Sequence, residues 1–84
     1  MFTLVGASLT LPSSERYRLL RTTDINIDST SLECWDQGAD ICVMELQRFE
    51  ATGERHFHLY GTTVPLRELH WFLQIAEREL EDQP

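Results

Sequence analysis

His56 and His58 stand two residues apart in the run Arg55-His56-Phe57-His58-Leu59-Tyr60. On an extended strand that spacing points both imidazoles to one side. With Glu45 across a hairpin they offer two nitrogens and a carboxylate, a weak donor set for a transition metal. Imidazoles also titrate near neutrality, so the pair suits a pH-sensitive contact surface as well. Alternate histidines are common on solvated strands, and the simplest expectation is two surface histidines with no metal and no cofactor. His70 is expected at the edge of a helix.

The remaining candidate chemistry is thinner. Asp24-Ile25-Asn26-Ile27-Asp28 spaces oxygens like the start of a calcium loop. Ser29 then stands where that loop needs glycine, and Trp35 where it needs a bidentate glutamate. Cys34 and Cys42 do not form a Cys-x-x-Cys pair, so redox catalysis has no motif. They read as two small core thiols that could lie opposite one another on adjacent strands. Ser13 and Ser14 lack the glycine frame of a nucleophile elbow. No glycine-rich phosphate loop is present, and no catalytic residue is assigned.

The elements that position these residues follow from periodicity. Residues 40–50 and 55–61 are rich in strand formers, and Ala51-Thr52-Gly53-Glu54 between them reads as a turn with Gly53 at positive φ. With Glu50 opposite Arg55, Leu46 faces Leu59 and Gln47 faces His58. One side of this hairpin then holds Cys42, Met44, Leu46, Phe57 and Leu59. The other holds Ile41, Val43, Glu45, Gln47, Phe49, His56, His58 and Tyr60. A strand over residues 31–35 joins through Asp36-Gln37-Gly38-Ala39, with Gly38 in the left-handed position. It adds Leu32 and Cys34 to the first side and Trp35 to the second.

Leu66, Leu69, Leu73, Ala76 and Leu80 follow helical spacing, and Phe72 widens the stripe. Thr63 is the expected cap and Pro65 falls in the first turn. Trp71 and Ile75 lie four apart on a flank, suited either to partner contact or to core packing. Residues 2–11 are strand-like and 12–15 turn-like. Residues 16–22 read as a strand, with a short helix as the alternative, and 24–28 are expected to prolong it.

The fold class expected is therefore α+β: a curved, mostly antiparallel sheet of four or five strands followed by one C-terminal helix packed on one face. One small domain spans 1–84, with the sheet in 1–62, the helix in 63–81 and a frayed tail in 82–84. The helix should cover the Cys42, Met44, Leu46, Phe57 and Leu59 side. The opposite side would keep its aromatics uncovered, and an apolar patch edged by acids suggests contact with another molecule.

Composition bounds that contact. The chain has 84 residues, 14 acids and 7 basic residues, for a net charge of −7. Every basic residue is arginine. Residues 23–54 alone carry eight acids against one arginine. Such a charge repels nucleic-acid backbones and anionic membranes and favours a basic protein partner. The first residues lack a basic, apolar leader pattern, which leads to the expectation of a cytoplasmic protein with reduced cysteines.

The functional expectation is a non-catalytic protein-interaction domain, as a homodimer, bound to a larger partner, or both. Its contact residues would be Trp35, Glu45, Phe49, His56, His58 and Tyr60, with Trp71 and Ile75 on the helix. One alternative is an acidic inhibitor that imitates nucleic acid in a basic groove. Another is a small metal-binding sensor or enzyme using His56, His58 and Glu45.

Overall fold

The structure is a computed structural model that describes Thr3–Leu4 and residues 16–81. The other segments singled out above, within 2–11, 12–15 and 82–84, lie outside the described residues.

Five strands form one antiparallel sheet in chain order: β1 (Thr3–Leu4), β2 (Tyr17–Asp24), β3 (Ser29–Asp36), β4 (Ile41–Phe49) and β5 (Arg55–Leu59). Helix α1 (Leu66–Glu81) follows. This is the α+β architecture expected, and residues 16–22 take the strand alternative.

Alternation on β2 and β3 builds the core. Tyr17 and Leu19 on β2 sit beside Cys34 and Leu32 on β3, which in turn pair with Met44 and Leu46 on β4. Helix α1 presses Phe72, Ile75, Ala76 and Leu80 onto this layer. Those four share one helical face. Ile75 is thus a core residue, and Leu66 at the helix start is exposed.

The expected strand extension through 24–28 does not occur. β2 stops at Asp24, whose carboxylate accepts the Asn26 amide at 2.9 Å, and Asp28 adopts φ 51°. An aspartate bonded to the backbone two residues on makes a turn, and a second aspartate tolerates the left-handed region. Similar chemistry shapes the next loop. Asp36 accepts the Gly38 amide at 2.9 Å and the Ala39 amide at 3.1 Å, and Asp40, not Gly38, takes positive φ at 56°. Gly53 does adopt positive φ, at 74°.

A bulge between Cys34 and Trp35 corrects the sorting of residues 41–43. Cys34 pairs with Met44, yet Trp35 pairs with Cys42. The extra residue reverses the alternation upstream of it. Val43 therefore joins the buried core, Ile41 is exposed, and Cys42 lies near Glu33 and Glu45 on the side away from the helix. Cys34 and Cys42 are both free and are not register partners.

The β4–β5 hairpin is offset by two residues from the expected register. Glu45 faces His58, Gln47 faces His56 and Leu46 faces Phe57. The turn is Glu50-Ala51-Thr52-Gly53, closed by the Phe49 amide on the Glu54 carbonyl at 2.9 Å. A two-residue slip preserves which face each side chain occupies.

The helix also begins later than expected. The carbonyl of Pro65 accepts the Glu68 and Leu69 amides, at 2.9 and 3.1 Å. Proline disfavours helical conformation in the residue before it, so the helix starts only after Pro65 and Thr63 is too early to cap. The helix packs on β3 and β4. Phe57 and Leu59 on β5 consequently remain 40% and 49% exposed, although they were expected beneath the helix.

Arginines fasten the two layers. Arg21 meets Glu79 at 2.6 Å, and Arg55 meets Glu81 at 2.9 Å. Arg48 donates to the Leu80 carbonyl at the helix end, where backbone acceptors lack helical partners. At the other end Tyr17 donates to Glu68, Trp71 stacks on Tyr17 with centroids 6.1 Å apart, and Arg16 lies 5.2 Å over the Tyr17 ring.

Candidate functional site

The side of the sheet away from α1 carries Trp35, Glu45, Phe49, His56, His58 and Tyr60, the six sheet residues predicted to share it. Alternation puts Glu45, Gln47 and Phe49 of β4 beside His58, His56 and Glu54. Phe49 meets His56 edge-on at 4.9 Å, and the two histidine rings lie 6.5 Å apart. His58 stacks nearly parallel on Tyr60, at 5.9 Å and 5°. The Tyr60 hydroxyl donates to Glu45. A continuous band thus runs from Phe49 to Glu45.

Trp71 and Ile75 do not belong to this band. Ile75 is buried in the core, and Trp71 packs against the same core beside Tyr17.

β3 forms the floor, and most of it escaped the sequence reading. Ser29, Ser31 and Glu33 alternate with Thr30 and the core residues Leu32 and Cys34. The signal is the period of two, although the sequence pattern assigns only Trp35 of this strand to this side. Gln47 donates to the Ser29 hydroxyl at 3.1 Å, and His58 Nε2 bonds to Gln47 Oε1 at 3.0 Å. The Trp35 indole donates to Glu33 at 2.9 Å. A cleft of about 210 Å³ opens above, lined by Thr22, Asp24, Ser29, Ser31, Glu33, Glu45, Gln47 and Tyr60.

Glu33 and Glu45 are direct register partners across β3 and β4. Burial raises the Glu33 carboxyl above its ordinary value, the Glu45 charge adds to the rise, and the Trp35 hydrogen bond opposes it. Burial, the hydrogen bond to Glu45 and that carboxylate's charge also raise the Tyr60 hydroxyl. It therefore stays protonated as a donor near neutral pH. Cys42 is pushed up to about 12 by burial and by Glu33 and Glu45, which leaves its thiol a poor nucleophile.

The arrangement suits binding more than bond breaking. Ser29 is bonded to an amide and not to a base, so its hydroxyl is not activated. Among the described residues no three His, Cys, Asp or Glu side chains converge as metal ligands. His58 engages Gln47, and His56 engages Glu54 at 2.6 Å. No helix among the described residues is long and apolar enough to cross a membrane. Comparison with known proteins leaves the argument to this geometry, since no family model, curated protein or solved structure matches the chain.

Proposed function

We propose that the chain is a non-catalytic protein-interaction domain that binds through the open side of its sheet. The occupant is a second copy, a larger protein with a basic surface, or both. The observation that carries this reading is the aromatic band of Trp35, Phe49, His58 and Tyr60 around a pair of carboxylates, on the side opposite α1. Aromatic side chains supply large contact area at low entropic cost, and the carboxylates would steer a basic partner.

The acidic-decoy alternative draws less support. Glu50, Glu68, Glu77, Glu79 and Glu81 pair with arginines of this same chain, which weakens any phosphate-like array. A decoy presents its charges unpaired.

The test is Phe49→Arg combined with Tyr60→Arg. Native mass spectrometry reads dimer formation, and capture on immobilised protein reads a hetero-partner. Both forms of association should fall at least tenfold, because a single desolvated cation in an apolar contact already costs more than about 1.4 kcal/mol. Association that survives in a folded double variant removes this face from consideration.

A further inference from the structure

We propose that the cleft between Glu33 and Glu45 receives the guanidinium of an arginine side chain from the protein partner. This rests on the reading of the open side as the partner surface.

Six of the twelve acids among the described residues pair with an arginine. Arg16 meets Asp36 and Glu68, Arg21 meets Glu79, Arg48 meets Glu50, and Arg55 meets Glu77 and Glu81. Glu33 and Glu45 form no ion pair with a described residue, although they face one another directly across two strands. Like charges so placed are destabilising. Glu33 is also only 9% exposed, so water relieves it little. Arg18 shares this side as the register partner of Trp35, one row beyond Leu20, and pairs with neither acid. His58 is the register partner of Glu45, but its ring bonds to Gln47.

Two further features point to a polar occupant. Trp35 and Tyr60 each donate to one oxygen of their carboxylate, which fixes its orientation and leaves its second oxygen for another donor. Thr22 and Ser31, each 4% exposed, line the same cleft, and neither hydroxyl bonds to another described residue.

The missing group must therefore be cationic and carry several donors. A guanidinium offers five in a planar fork, matches carboxylates side by side, and stacks on aromatic rings such as Tyr60. An ammonium offers a compact point charge and fits less well. The open aromatic surround, continuing to Trp35, suits a group that arrives on the end of a longer chain.

Nuclear magnetic resonance titration of the full chain tests this, with the Trp35 indole N–H as reporter and the Trp71 indole as internal control. The ligands are the blocked tripeptide Ac-Gly-Arg-Gly-NH2, its lysine analogue, and methylguanidinium. The arginine peptide should give a saturable shift at Trp35 and none at Trp71. The lysine peptide and methylguanidinium should each bind about tenfold more weakly, the loss expected when a charge-assisted hydrogen bond or the stem contact is removed. Glu45→Gln and Glu33→Gln should each weaken the arginine peptide by about tenfold or more, and Glu77→Gln on the helix should leave it unchanged. A linear response, equal binding in Glu45→Gln, or equal binding of methylguanidinium overturns the proposal. Should the peptide fail while the Phe49→Arg and Tyr60→Arg pair still abolishes association, the arginine assignment falls and the interaction face stands.

Discussion

Glu33 and Glu45 face one another directly across β3 and β4. Two carboxylates directly opposite on neighbouring strands repel, and the Trp35 and Tyr60 donors relieve that repulsion only in part. Removing one charge from the free protein should stabilise it. Glu45→Gln is expected to raise stability by about 0.2–1 kcal/mol at neutral pH, the worth of one cross-strand pair. The pH dependence gives the sign. A carboxyl raised in the fold binds its proton more tightly there than in the unfolded chain. Stability therefore falls as pH climbs from the ordinary glutamate range through the raised Glu33 value. Thermal melts across that window should show the fall in the wild type and a shallower one in Glu45→Gln. A lower melting temperature for the variant at neutral pH contradicts the repulsion. At this scale the sequence was legible wherever alternation ran unbroken. His56, His58, Tyr60 and Glu45 could be grouped because residues two apart share a side. Cys42, Val43 and Ile41 could not, because one bulge reverses the alternation and leaves no composition mark.

The elements themselves were legible from their apolar periods, and their ends were not. Asp24 and Asp36 end strands by bonding backbone amides, which polar alternation alone does not reveal. Pro65 delays the helix through the residue before it. Every basic residue is arginine. The structure places Arg16, Arg21, Arg48 and Arg55 between sheet and helix. These contacts are long-range in sequence, so no local pattern announces them. Their energies should differ with burial. Arg21 and Glu79 have side chains 19% and 29% exposed, whereas Glu77 and Glu81 beside Arg55 are 56% and 61% exposed. Arg21→Ala is expected to cost about 1–3 kcal/mol. Arg55→Ala should cost under about 1 kcal/mol, as solvent-exposed pairs do. For a domain of this length each kcal/mol lowers the melting temperature by about 4–8 °C. Equal losses for the two variants would mean that the partly buried clamp does not hold the helix.

At the scale of the molecule, one helix on one side of an open sheet explains why the two sides differ. The side under α1 is built from Leu19, Leu32, Met44 and Leu46, which Phe72 of the helix covers, while Phe57 and Leu59 at its β5 edge stay exposed. The opposite side is built from hydroxyls, carboxylates and aromatics on the same strands. That division was readable from sequence because a single amphipathic helix can cover only one side. The polar floor of the cleft was not, because Ser29, Ser31 and Glu33 resemble an ordinary solvated strand until their burial is known. Contact at this open side is the property on which the proposed function turns. Hydroxyl-radical footprinting of the protein in extract from its own cells, compared with purified protein, measures that directly. Oxidation of Tyr60 and Trp35 should fall at least about threefold in the extract, since a protein contact excludes water from its centre. Phe57 and Leu66, exposed elsewhere on the molecule, should react as before. Protection of Phe57 and Leu66 with Tyr60 and Trp35 unchanged would contradict the account.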